Sequence, residues 1–252
     1  MKVVCFCNNW LGWHALQWLT RQGEEVVAVV MHPREREKYG DEIRAVASEA
    51  RAVVIDGSQL RVPEVVERIR SLKAEIGVSI LFGFILREPV LELFPRGCIN
   101  LHPALLPFNR GANPNVWSIV EKTPAGVTIH YLDKDVDTGD VIAQKEVPVS
   151  VTDTGLSLYR KLEGAGLKLF QQTWPSIRSG EAPGKPQMGA GTFHRTRDVE
   201  GLDEIVLERS YRAEDLLNVM RARTFPPHPG AYFRHNGRKV YVRIELWEEE
   251  TT

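Results

Sequence analysis

Asn100 and His102 stand two residues apart in INLHPALLP, and Asp137 follows in HYLDKDVDTGD. These residue types make a polar set for acyl transfer. A carboxamide N–H can hydrogen-bond a carbonyl oxygen as it gains negative charge, an imidazole can take a proton from an attacking amine, and a carboxylate can orient that imidazole and stabilise its positive form. The imidazole can equally act as a second donor to the oxyanion, and the residue types leave both roles open. No metal is expected, because the run of acids Asp133, Asp135 and Asp137 does not follow the D-x-[DN]-x-[DN]-G order of a calcium loop with its later Glu.

The set needs elements that aim it. GCINL, residues 97–101, reads as a short buried strand running into His102-Pro103, and alternation at period 2 turns Asn100 and His102 to the same side at its carboxyl end. Open α/β sheets keep their sites at that end. Upstream, apolar runs alternate with amphipathic stretches: KVVCFC then LGWHALQWLTRQG, EVVAVV then DEIRAVASEA, AVVI then PEVVERIRSLKA, IGVSILF then EPVLELF. This βαβα pattern predicts a Rossmann-like, mostly parallel sheet covered by helices. NNWLG replaces the GxGxxG of dinucleotide folds after the first strand, which disfavours a hydride carrier.

Downstream, Asn113-Pro114 reads as N-cap and first-turn proline of a helix to Glu121 or Lys122. Residues 126–132 and 141–149 read as strands flanking the acidic loop. A helical pattern covers 155–179 despite Gly164, Gly166 and Pro175. The Gly- and Pro-rich EAPGKPQMGAG is the best boundary, so the expected division is 1–180, a linker 181–192, and a small α+β subdomain 193–252. That subdomain should hold a helix over 211–223 and end in a β-hairpin turning at Asn236-Gly237.

The 252 residues are 43% hydrophobic, enough for one large core with an appendage. Lys and Arg total 32 against 33 Asp and Glu, a formal net charge of −1, so no overall field draws the chain to nucleic acid or to an anionic membrane. The apolar run in MKVVCFCNNW is too short for a signal peptide, and nowhere do about 18 apolar residues follow one another, so a cytoplasmic protein is expected. Cys5, Cys7 and Cys98 have the spacing of neither a disulfide framework nor a zinc site and read as small buried hydrophobes.

NLHPALLPFNRGANPNVW followed by GVTIHYLDKDVDTGDVIAQ resembles the formyltransferases that use 10-formyltetrahydrofolate: glycinamide ribonucleotide formyltransferase, methionyl-tRNA formyltransferase, and the N-formyltransferases of nucleotide-linked amino sugars. The family's Asn, His and Asp fall on Asn100, His102 and Asp137. Ala104 departs from the Ser common there, which removes only a peripheral hydroxyl. The resemblance implies a formyltransferase fold with a pterin seated largely on main-chain groups of FGFILREP and of the acidic loop, hence Phe84, Ile85, Leu86, Arg87, Asp133 and Val136. It places the acceptor against the first loop and the segment after the HP motif, hence Asn8, Asn9, Trp10, Arg110, Asn113 and Asn115, with Arg110 suited to a phosphate.

The PGAYF hairpin is similar to the C-terminal subdomain of the sugar enzymes, and no further barrel domain of the tRNA enzyme follows. The expectation is therefore an N-formyltransferase acting on a dTDP- or UDP-linked amino sugar, without metal, nucleic acid or membrane, and with a homodimer admitted. The alternatives are another amine, methionyl-tRNA or a small metabolite, and a folate-binding protein without turnover.

Overall fold

The computed structural model describes residues 1–249. Residues 250–252 of the expected C-terminal subdomain lie outside them. The described residues form two compact units, each interrupted in sequence: 1–102 with 128–144 and 163–187, and 103–127 with 145–162 and 188–249.

In chain order the elements are β1 (Lys2–Cys7), α1 (Asn9–Arg21), β2 (Glu25–Met31), α2 (Gly40–Glu49), β3 (Val53–Asp56), α3 (Pro63–Ser71), β4 (Ile76–Ile80), α4 (Glu88–Leu91), β5 (Cys98–His102), β6 (Arg110–Gly111), α5 (Pro114–Val120), β7 (Gly126–Tyr131), β8 (Val141–Glu146), α6 (Gly155–Ser179), β9 (Phe193–His194), α7 (Glu200–Asp203), α8 (Ala213–Arg223), β10 (Ala231–His235) and β11 (Arg238–Val242).

The main sheet has seven strands in the order β3-β2-β1-β4-β5-β7-β8. Strands β1 to β5 are parallel, and β7 is antiparallel to β5. β4 is buried along its whole length and β1 along all but Lys2, as strands covered on both faces require, which is why KVVCFC and IGVSI read as unbroken apolar runs. β8 opens to solvent toward Gln144, Lys145 and Glu146, side chains suited to an edge strand. Helix α1 covers the sheet with Leu11, Ala15, Leu16 and Leu19, a stripe at helical spacing. Strand order reverses at β1, between β2 and β4, and such a switch point opens a crevice beyond the strands' carboxyl ends.

The three cysteines are free and buried. Burial holds all three thiols above the usual range, Cys7 at about 12, as expected of packing residues.

The second unit contains α5 packed on α8 and a parallel bridge of β6 to β9, Arg110 opposite Phe193. Buried Arg221 on α8 donates to the carbonyls of Ser150 and Asp153, both at 2.9 Å. The hairpin β10–β11 turns as expected at Asn236-Gly237, whose φ angles of 48° and 73° are those a two-residue primed turn demands. A two-stranded ribbon is marginal by itself. This one is extended by the bridge of Glu204 to Tyr232, where Ile205 N donates to the Tyr232 carbonyl at 2.7 Å.

One local expectation is corrected. Asn113 occupies the N-cap position of α5 but sits in the left-handed region, φ 56°, and its side chain makes no capping bond, so Pro114 is what starts the helix. The segment expected as a linker is pinned at two points: Lys185 bridges antiparallel to Val141, and Gln187 bonds the acidic loop.

Candidate active site

The carboxyl end of β5 carries Asn100 and His102. The register with β7 sets Asn100 against His130 and His102 against Thr128, and residues directly opposite share a face. Four polar side chains therefore share one face of two adjacent strands. Asp137 closes the group from the loop that follows β7. Its carboxylate accepts from Asn100 Nδ2 at 3.3 Å and lies 3.6 Å from His102 Nδ1 and 3.5 Å from His130 Nε2. His102, His130 and Asp137 are buried.

The loop is built to present Asp137. Asp137 has φ 55°, a left-handed conformation that Asp and Asn tolerate better than most residues. Two residues on, a β-carbon at Gly139 would stand 1.9 Å from the Tyr131 carbonyl oxygen, so only glycine lets the chain pass. Gln187 Nε2 donates to the carbonyls of both Asp137 and Gly139, at 2.8 and 2.9 Å. Asp133, exposed, accepts from Thr138 Oγ1 at 2.7 Å and from Asp135 N at 3.2 Å, so its carboxylate shapes the turn.

His130 is the functional candidate that sequence reasoning missed. Its Nδ1 lies 2.8 Å from the Tyr131 carbonyl, an acceptor, so Nδ1 carries the proton. Nε2 of the neutral ring is then an acceptor and receives Asn100 Nδ2 at 3.2 Å. This contact orients the Asn100 amide with its nitrogen toward His130 and Asp137. The available signal was the alternation of GVTIHY, which turns Thr128 and His130 to one face; the pairing partner was not readable. No local signal marks Gln187.

The expected folate positions follow β4. Leu81 opens that loop at φ 50°; Phe82 and Leu86 are buried, Phe84 is half-buried, Arg87 is exposed, and Ile85 keeps 63% of its surface exposed. The loop thus offers apolar surface to solvent over a packed base. Val136 is half-buried beside Asp137 in sequence.

The expected acceptor positions divide between the two units. In the first, Asn8 is buried and accepts from Lys38 N at 2.9 Å, and Asn9 N donates to the Lys38 carbonyl at 3.2 Å. Trp10 is half-buried and packs on His14 with ring centroids 4.0 Å apart. In the second unit, half-buried Arg110 donates its main-chain N–H to Thr192 O at 3.0 Å. Asn113 is half-buried before α5, and Asn115 is buried with Nδ2 donating to Gly155 O at 2.9 Å, which ties α5 to the start of α6. Among the described residues no group of three or more His, Cys, Asp or Glu is gathered as metal ligands would be, and no helix is long and apolar enough to cross a membrane.

A profile described as formyl transferase matches residues 1–173, and one described as N-formyltransferase dimerization C-terminal domain matches residues 198–248. Among solved structures, a sugar N-formyltransferase from a Shewanella species is 23% identical with a TM-score of 0.85 over 99% of each chain. A 4-N formyltransferase from Francisella tularensis is 24% identical with a TM-score of 0.81 over 98% of each chain. These two likenesses establish the fold. A formyltransferase from Anoxybacillus kamchatkensis, solved with UDP-4,6-dideoxy-4-formamido-L-AltNAc and tetrahydrofolate, is 28% identical with a TM-score of 0.57, covering 80% of this chain and 89% of that one. A profile match across residues 1–173 spans well over half of the chain, and on that ground the protein belongs to the formyl transferase family.

Proposed function

We propose that this protein transfers a formyl group from 10-formyltetrahydrofolate to the primary amine of a dTDP- or UDP-linked amino sugar. The observation that carries the reading is the meeting of Asn100, His102 and Asp137, from two separate motifs, in one cluster with contacts of 3.3 and 3.6 Å to the carboxylate. Family membership selects formyl among the acyl groups such a set can move. The 28% identical relative solved with a UDP-linked formamido sugar and tetrahydrofolate supports both the acceptor class and the folate. The C-terminal match supports residues 193–252 as a subdomain that joins two copies, for which Val240, Tyr241 and Trp247 leave large apolar side chains exposed.

The folate supplies an activated formyl carbon. As the amine–carbon bond forms and the carbon–N10 bond breaks, negative charge appears on the formyl oxygen, and the Asn100 N–H bonds it. Both hydrogen bonds of that amide, to His130 and Asp137, are longer than 3.1 Å, so an oxyanion takes one over at small cost. His102 accepts the amine's proton at Nε2 while Nδ1 faces Asp137, whose negative charge balances the imidazolium; the proton then passes to N10. The apolar surface that Ile85 and half-buried Phe84 offer over buried Leu86 suits a flat pterin, with Arg87, Asp133 and Val136 completing the donor side. Asn8, Asn9, Trp10, Arg110, Asn113 and Asn115 are assigned to the acceptor. The three buried free thiols suit a reducing cytoplasm.

A ligand that binds only the folded state raises its melting temperature. A screen of nucleotide-linked amino sugars with 5-formyltetrahydrofolate should raise Tm by several degrees for the matching sugar, on the order of 2–4 °C per kcal/mol of binding linkage for a chain of this size. A shift with the folate alone that no nucleotide sugar increases would favour a folate binder without this acceptor.

A further inference from the structure

His32 follows β2 directly, is 7% exposed, and joins two loops at the carboxyl end of the sheet. Its Nε2 accepts from the main-chain N–H of Gly83 at 3.0 Å. A ring nitrogen that accepts is unprotonated, so in the neutral ring the proton sits on Nδ1. The ring packs edge-on against Phe82 and Phe84, with centroids 5.3 and 5.0 Å away, and the Arg36 guanidinium lies 5.3 Å from the centre of the Phe84 ring. A β-carbon at Gly83 would stand 3.2 Å from His32 Cε1, so the loop is seated tightly on the imidazole. The Arg36 carbonyl also receives Asn8 Nδ2 at 3.5 Å, which extends the connection to the loop after β1.

We propose that His32 is a positioning residue for the formyl donor: as a neutral imidazole it clips residues 81–87 onto the loop after β2, and protonation opens the clip. The inference rests on the reading of residues 84–87 as a folate wall. A proton on Nε2 would set N–H against the N–H of Gly83 and leave that donor without its acceptor, a loss of up to about tenfold in any equilibrium that requires the loop in place. It would also put a positive charge beside Arg36. The charged groups around the ring are Arg36 and Asp56, with Arg34 and Arg44 lining the same small cleft. Burial, reinforced by Arg36, holds the ring below the ordinary histidine value of 6.5, against the Arg36 main-chain hydrogen bond and the Asp56 carboxylate, which act the other way. Neutrality is therefore the state at neutral pH, and the clip fails only as pH falls through the ring's lowered value, below 6.5.

The test is the dissociation constant of 5-formyltetrahydrofolate at about pH 7.5 and about pH 5 for the wild type, His32→Gln and His32→Leu. The glutamine amide oxygen can accept from Gly83 and does not titrate. His32→Gln should stay within about twofold of the wild type at the higher pH and should lose several-fold less affinity than the wild type at the lower one. His32→Leu should bind about tenfold more weakly at the higher pH, with the donor KM raised and kcat changed far less. Equal pH dependence in the wild type and His32→Gln would overturn the proposal, and that comparison decides it even if His32→Leu does not fold. Failure of the wild type itself to bind at either pH would instead overturn the folate reading beneath it, and the proposal with it.

Discussion

His102→Ala and Asn100→Ala are each expected to lower kcat by about a hundredfold or more while leaving the affinity for 5-formyltetrahydrofolate nearly intact. The reason is where the interactions fall along the reaction. The Asn100 N–H meets a weakly polar formyl oxygen before attack and a negative one during it, so most of its worth appears in the transition state. His102 has a proton to accept only as the amine becomes positive. Neither group is needed to hold a pterin on the loop after β4. Asn100→Ala also removes the hydrogen bonds that His130 and Asp137 share with the amide, so melting temperature should be followed alongside rate. Steady-state kinetics with both substrates, and direct binding of the folate analogue, separate the two effects. Turnover near the wild-type value in both variants would remove these residues from the chemistry.

Asp137→Asn is expected to fold normally and to lose about a hundredfold or more of kcat, with a changed pH profile. Its backbone is at φ 55°, and asparagine accepts the left-handed region as readily as aspartate, so the loop held by Gln187 has no cause to rearrange. The electrostatics do change. The carboxylate accepts from Asn100 and faces ring nitrogens of both His102 and His130, and an amide in its place turns a donor toward at least one of these groups. The negative charge that balances a protonated imidazole is lost as well, which is why the pH–rate profile should differ from that of the wild type. An unchanged rate and profile in a well-folded variant would make Asp137 a turn residue only.

The features legible in the chain are those set by local period. Apolar runs alternating with amphipathic stretches announced the parallel sheet, the two-residue spacing of Asn100 and His102 announced a shared face on β5, and Asn236-Gly237 announced the hairpin. What was not legible depends on pairings between distant segments. That β7 enters antiparallel beside β5, in the register that sets His130 against Asn100, follows from packing of the whole sheet. Gln187 reaches the acidic loop from a stretch whose glycines and prolines report only the absence of regular structure. The bridge of Arg110 to Phe193 likewise joins residues that share no local pattern. Local preference was also overruled at Asn113, where the chain takes a left-handed turn into α5 in place of a side-chain cap.

The central claim is transfer of a formyl group to an amine on a nucleotide-linked sugar, and it is tested most directly by following the formyl carbon. With 10-formyltetrahydrofolate labelled at that carbon and a panel of dTDP- and UDP-linked amino sugars, the label should appear as a stable formamide on one sugar, with methionyl-tRNA inert under the same conditions. The rate with the matching sugar should vary only weakly with added salt, since a compact acceptor makes few phosphate contacts compared with a tRNA backbone. Efficient formylation of methionyl-tRNA, or no transfer to any amino sugar despite tight folate binding, would contradict the account.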